Sequence, residues 1–172
     1  MNKPLVGIVM GSSSDLRIGQ KIYEELKSFN IPCEVTVASA HRTPEDAAKY
    51  AANACSRGLR VIIAVAGLSA ALPGVIAAHT TLPVIGVPVA AGTLGGIDAL
   101  LAIAQMPPGV PSVSVGIDGA KNAALMAIRI LALEDEKLQK ALDDYRKKNE
   151  EKIRNSRTSL TGVTTAPPEA FL

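Results

Sequence analysis

The chain of 172 residues contains two histidines, and one of them, His41, stands in SAHRTPED (39–46) with Arg42 directly after it. An imidazole titrates near neutral pH without help, which suits it to proton transfer. The guanidinium beside it can hold a phosphate bidentately, and as a cation it tends to keep the ring neutral enough to accept a proton. Thr43, Pro44 and Asp46 are explained by structure alone: an N-cap, a proline at the first helical position and a capping-box-like spacing. His41 and Arg42 are not needed to start a helix, so they are candidates for chemistry.

Two further stretches belong to the same argument. In GSSSD (11–15), Gly11 permits tight backbone geometry, and the hydroxyls of Ser12, Ser13 and Ser14 stand beside the free N–H groups of a starting helix, a cradle for phosphate. Plain capping by Ser14 or Asp15 is the competing explanation. A carboxylate at Asp15 would repel phosphate, so its better role is to accept hydrogen bonds from sugar hydroxyls. In AGLSAALPG (66–74), Ser69 is the only polar side chain, and small residues let a planar ligand approach the backbone, although close helix–strand packing would use them equally well. The rigid QMPPGVP (105–111) is expected to fix a pocket wall. Ligand contacts are therefore expected from Gly11, Ser12, Ser14 and Asp15, from Ser39, Ala40 and Arg42, and from Gly67, Ser69 and Leu72, with His41 as acid/base. Hydroxyls, one Asp, one Arg and one His around an apolar floor suit a phosphorylated sugar carrying a planar base. No Ser-His-Asp relay, P-loop lysine or metal-ligand spacing is present. His79, in AAHTTLP, is expected at a helix end on the surface.

These stretches sit where short β-branched runs give way to helical patterns. Residues 5–11, 33–39, 61–67, 83–89 and 112–117 predict strands, several of them apolar on both faces as in parallel sheets covered on each side. Residues 15–29, 44–57, 70–79, 97–104 and 120–133 predict helices. The alternation implies an α/β fold, a three-layer αβα sandwich with a flavodoxin-like five-stranded parallel sheet. Residues 1–133 form this domain. A further helix spans 134–157, with 15 charged residues in 24 and a narrow stripe of Leu138, Ala141, Leu142, Tyr145 and Ile153. That stripe implies either a solvated terminal helix or an arm laid on a neighbouring subunit. Residues 158–172 have the composition of a disordered tail, which a partner subunit would pin.

Composition excludes other classes. A net charge of +2, no Trp, two Phe and three Tyr give neither the basic surface nor the aromatic platform of a nucleic-acid binder. From Val61 to Ile97 there is no Asp, Glu, Lys or Arg, but Gly67, Pro73, Gly74, Pro83, Gly86 and Pro88 cut the run well below the roughly 20 apolar residues of a membrane span. So long an uncharged stretch instead suggests a subunit interface. Cys33 and Cys55 read as small buried hydrophobes. With no signal peptide ahead of SSSDLR, a cytoplasmic protein is expected. A non-catalytic FMN- or nucleotide-binding module on the same fold is the rival of another class, and the scarcity of aromatics to stack a flavin argues against it.

MGSSSD, SAHRTP, AGLSAALPG, LPVIGVPV, QMPPGVP and KNAAL (121–125) follow one another between Val6 and Leu133. In this order they resemble the PurE family, the N5-carboxyaminoimidazole ribonucleotide mutases and phosphoribosylaminoimidazole carboxylases of purine biosynthesis. The resemblance implies a flavodoxin-like fold, a homo-octamer whose C-terminal helix packs on neighbours, a ribonucleotide substrate with CO2, and no metal or cofactor. It implies phosphate-side serines at Ser12 and Ser14, ribose binding by Asp15, phosphate binding by Arg42 and general acid/base work by His41. The third stretch departs from the mutase branch, which usually reads AGGAAHLPG: Ala71 stands where a second His would fall. There the chain leans to the branch that uses CO2 directly, whereas SAHRTP, LPVIGVPV and QMPPGVP lean to the mutase, which is the expected activity.

Overall fold

The computed structural model describes residues 3–171. Five parallel strands, β1 (Val6–Met10), β2 (Cys33–Val37), β3 (Val61–Gly67), β4 (Val84–Val89) and β5 (Val113–Ser114), stand in the order β2-β1-β3-β4-β5. This is the flavodoxin-like order, and the direction of winding reverses beside β1, where β1 pairs β2 on one side and β3 on the other.

The alternation of side chains across the strands assigns the two faces. Val6, Ile8, Met10, Val61, Ile63 and Val65 point to one layer, where they meet Ile18, Ile22 and Leu26 of α1 (Leu16–Ser28) and Ala123, Ala127 and Ile128 of α5 (Ala120–Leu131). Val9, Ile62, Ala64 and Ala66 point to the other. There Ala47, Ala51 and Ala54 of α2 (Pro44–Ala54), Ile76 of α3 (Leu72–Ala78) and Ile103 of α4 (Ile97–Ala104) cover them. Covered on both faces, β1, β3 and β4 are buried along almost their whole length, which is why these runs carry no charge. β2 is an edge strand, with Val35 42% and Val37 51% exposed.

Several elements are shorter than the apolar pattern predicts. The fifth strand, expected over 112–117, keeps only Val113–Ser114. Val115 still donates to the carbonyl of Gly86, but the chain then turns through Asp118, whose φ is +55°. The second helix stops at Ala54 rather than Arg57, because Gly58 adopts φ +101° and the Leu59 N–H returns to the Ala54 carbonyl. The last helix, α6 (Glu136–Ser156), follows a short 3-10 turn, and Asp135 Oδ1 caps it by accepting the N–H groups of Lys137 at 2.9 Å and Leu138 at 3.2 Å. Its apolar stripe divides. Leu138 and Leu142 pack against the chain's own core, and Tyr145 meets the Phe29 ring at 5.7 Å, whereas Ile153 is 66% exposed. Residues 158–171 are exposed throughout, and the Arg157 guanidinium lies 3.7 Å over the Phe171 ring. Cys33 is only partly buried and Cys55 exposed, so neither is the buried hydrophobe expected.

Candidate active site

A cavity of ≈ 480 Å³ opens at the carboxyl ends of β1, β2 and β3, the position where open α/β sheets bind ligands. All eleven residues expected from sequence line it, although they come from three separate stretches: Gly11, Ser12, Ser14 and Asp15; Ser39, Ala40, His41 and Arg42; Gly67, Ser69 and Leu72. Ser13 does not line it. Nor does QMPPGVP, contrary to expectation: within this chain the loop packs on α3, where Met106 would stand 3.0 Å from a Cβ placed on Gly74.

At the end of β1, the extended Ser12 caps a 3-10 turn (Ser13–Asp15), its Oγ accepting the Ser14 N–H at 3.3 Å. The capping thus falls to Ser12 and not to Ser14 or Asp15, which frees Asp15 for the cavity. Asp15 is 8% exposed and, among the described residues, is the one buried side chain that is polar or charged. Burial pushes its carboxyl up from the ordinary value, against the hydrogen bond from Ser14 Oγ at 3.3 Å, a backbone bond at Ser12 and the positive charge of Arg42. Gly11 is not required by a left-handed backbone. A Cβ there would find ordinary contacts, 3.7 Å from the Val65 carbonyl and 3.8 Å from the Asp15 carboxylate.

At the end of β2, Thr43 precedes α2 but makes no side-chain cap. Its Oγ1 turns back instead, accepting the Ser39 N–H at 2.9 Å and donating to the Ser39 carbonyl at 3.3 Å, so the expected capping box does not form. Those bonds close a tight loop over 39–43 that presents Ala40 and His41 at its tip. Ser39 Oγ accepts from the Arg42 backbone N–H at 3.2 Å and from its Nε at 3.4 Å, and Arg42 Nη2 reaches the Gly11 carbonyl at 3.1 Å. The exposed His41 ring makes no hydrogen bond among the described residues, which leaves both nitrogens open to a ligand.

At the end of β3, the chain turns through two non-glycine residues with left-handed backbones, Leu68 at φ +55° and Ala70 at φ +33°. Such conformations cost energy and concentrate at functional sites. A Cβ on Gly67 would stand 3.3 Å from that of Ala91, so this glycine serves close packing against the end of β4. Leu68 and Ala91 both line the cavity and were not anticipated as contacts. No glycine marks the bend at Leu68. Ala91 belongs to the glycine-rich AAGTLGG (90–96), whose one polar side chain is Thr93, so nothing in its composition marks it as a ligand contact. Ala71, the position of the mutase-type histidine, also lines the cavity and precedes α3. His79 ends α3 on the surface, as expected, its Nδ1 2.8 Å from the Val75 carbonyl.

A family model described as AIR carboxylase matches residues 5–152. The N5-carboxyaminoimidazole ribonucleotide mutase of Pyrococcus horikoshii is 53% identical over 156 residues, 88% of each chain. The phosphoribosylaminoimidazole carboxylase of Candida glabrata is 45% identical over 95% of this chain, which spans only 29% of that longer protein. Among solved structures, Treponema denticola PurE superposes with a TM-score of 0.82 at 34% identity, over 92% of this chain and 99% of that one. With the cavity, the sheet order and these relatives in agreement, the chain belongs to the AIR carboxylase family.

Proposed function

We propose that the cavity at the ends of β1, β2 and β3 is where this chain moves a carboxyl group from N5 to C4 of its substrate. N5-carboxyaminoimidazole ribonucleotide becomes 4-carboxy-5-aminoimidazole ribonucleotide, a step of purine biosynthesis. The observation that carries the activity is the 53% identity to a mutase over 88% of both chains. Bacterial and archaeal relatives of similar length, at 48–54% identity, bear the same name. Direct carboxylation by CO2, towards which Leu68, Ser69 and Ala71 lean, is not favoured.

In this reading Arg42, Ser12 and Ser14 hold the phosphate, Asp15 accepts from the ribose hydroxyls, and the planar base lies on the Gly67–Leu72 turn. The N5–carboxylate bond breaks, CO2 is released, and the His41 imidazolium protonates the departing nitrogen. C4 then attacks CO2, and the now neutral His41 removes the C4 proton. One proton leaves the ring and one returns, so a single residue serves both halves. The small apolar walls keep water from the CO2 between the two steps.

Assembly as a homo-octamer belongs to the same proposal. Val35, Val37, Leu68, Leu94, Ile97 and Leu101 leave apolar surface exposed on one chain. A groove of ≈ 760 Å³ between α5 and α6 offers a seat for a neighbour. Among the described residues no helix is long and apolar enough to cross a membrane, and the two cysteines are unpaired; both support a cytoplasmic site of action.

The deciding assay supplies the protein with N5-carboxyaminoimidazole ribonucleotide, and separately with aminoimidazole ribonucleotide plus bicarbonate, and follows the carboxylated product. Turnover of the first alone is expected. Turnover of the second alone would transfer the chain to the direct-carboxylase branch.

A further inference from the structure

Asp118 lies outside the cavity and outside the stretches singled out by sequence, yet it holds a strained position. It follows β5 in GIDGA with φ +55°, a conformation that Asp tolerates better than most residues but adopts infrequently. Its carboxylate joins two other elements. Oδ1 accepts the backbone N–H of Ala90 at 3.0 Å, and Oδ2 accepts from Arg17 Nη2 at 2.9 Å, while the Asp118 N–H goes to the Pro88 carbonyl at 2.8 Å. Ala90 is the first residue beyond β4, and Ala91 after it lines the cavity. Arg17 stands in the first turn of α1, two residues from Asp15.

Among the described residues, Asp118 supplies the one side-chain hydrogen bond to the loop between β4 and α4, whose own bonds are turns from the Gly95 N–H to the Gly92 carbonyl and from the Ile97 N–H to the Leu94 carbonyl. Gly92, Gly95 and Gly96 have φ of +64°, +58° and +93°, and Leu94 at its tip is 61% exposed. Its position nevertheless matters to the cavity. A Cβ on Gly67 would be 3.3 Å from that of Ala91, and one on Gly92 only 2.8 Å from Leu68 Cδ2. A shift of 90–92 would therefore pass directly to Gly67 and to the strained Leu68, both of them cavity walls.

We propose that Arg17 and Asp118 are positioning residues: by holding the Ala90 N–H, they fix the β4–α4 loop so that Ala91 and Leu68 present a defined apolar wall to the substrate's base. The inference rests on the cavity being the site of carboxyl transfer. The ion pair is half in solvent, with side chains 61% and 31% exposed, and such pairs add little to stability. Its consequence is geometric. The Ala90 N–H is the chief influence holding the Asp118 carboxyl below the usual range, ahead of the opposing effect of burial and the help of Arg17.

The test compares Asp118→Ala, Asp118→Gly, Asp118→Asn and Arg17→Ala with the unaltered protein, by steady-state kinetics on N5-carboxyaminoimidazole ribonucleotide and by hydrogen–deuterium exchange of residues 88–97. Glycine relieves the left-handed backbone while removing the carboxylate, so a loss shared by the Ala and Gly variants separates the bridge from strain and from misfolding. Both should raise KM by about tenfold with kcat within about twofold, the mark of binding lost equally in ground and transition states. Exchange in 90–96 should accelerate by about tenfold, as expected when a hydrogen bond to a charged group is removed. Asp118→Asn keeps an oxygen for Ala90 and should recover most of the loss. Adding Arg17→Ala to Asp118→Ala should cost nothing further. Unchanged exchange at 90–96 in Asp118→Gly overturns the proposal, and so does a fall in kcat without a rise in KM. If the unaltered protein does not turn over the substrate, the functional reading fails instead, and exchange alone decides whether the bridge holds the loop.

Discussion

Arg42 Nη2 donates to the Gly11 carbonyl at 3.1 Å, fastening the end of β2 to the end of β1 across the mouth of the cavity. With Nε on Ser39 Oγ, two of the three guanidinium nitrogens are engaged by the protein, and Nη1 has no partner among the described residues. The cation is thus oriented before any phosphate arrives. Arg42→Lys keeps the charge but loses the planar fork. It should raise KM by about tenfold or more while changing kcat less, consistent with a lost charge-assisted pair. The corresponding riboside, which lacks the phosphate, should be turned over equally by both proteins; steady-state kinetics on the two substrates check this.

His41→Asn should lower kcat by roughly 10²–10⁴-fold, the range that a general acid/base supplies. The ring is exposed and makes no hydrogen bond among the described residues, so the unfolding midpoint should not move. Turnover within about tenfold of the unaltered enzyme would remove His41 from the proton-transfer role.

How much of this was legible in the sequence differs by residue. The strand ends were, because β1, β3 and β4 need apolar side chains on both faces and the residues that break the pattern stand at the ligand end. His41 and Arg42 were, because no helix start requires them. Hydrogen-bond partners were not. Thr43 has the type and position of an N-cap, yet the tight 39–43 loop offers its hydroxyl the Ser39 N–H instead. Leu68 and Ala70 were opaque for a different reason. Neither residue type signals a left-handed backbone, and only the close approach of Ala91 and Gly92 shows why the chain bends there. Asp118 gave no signal, since its partners lie 28 and 101 residues away in sequence.

Asp15 links activity to stability. Its carboxyl is raised mainly by burial, so the folded chain binds more protons than the unfolded chain between the unfolded value near 3.8 and the raised folded value. Its contribution to stability is therefore present below the unfolded value and is lost as pH rises through the folded one. Asp15→Asn, similar in shape and without charge, should make the ligand-free protein more stable at pH 7, and this advantage should vanish towards pH 3. Urea unfolding midpoints at both pH values check the sign. The same change weakens the acceptor for the ribose hydroxyls and should raise KM, a trade of function against stability.

Gly86 shows how tightly the sheet and the cavity floor are joined. It lies in β4 opposite Ala64 and Ser114, and a Cβ there would collide with Ile103 Cγ2 and approach Pro73 Cβ at 3.2 Å and Cγ at 3.3 Å. Neither neighbour yields easily: Ile103 is β-branched and wholly buried in α4, and the Pro73 ring sits in the first turn of α3. Gly86→Ala should therefore lift α3 and α4 from the sheet and destabilise the fold by about 1–3 kcal/mol, the usual cost of overpacking. Gly116→Ala is the control, because nothing stands within 4 Å of its Cβ, and it should stay within about 0.5 kcal/mol. Since Leu72, beside Pro73, lines the cavity, the Gly86 variant should also lose turnover at temperatures where it remains folded. A variant that is destabilised but fully active would show that α3 can move without disturbing the floor on which the base is proposed to lie.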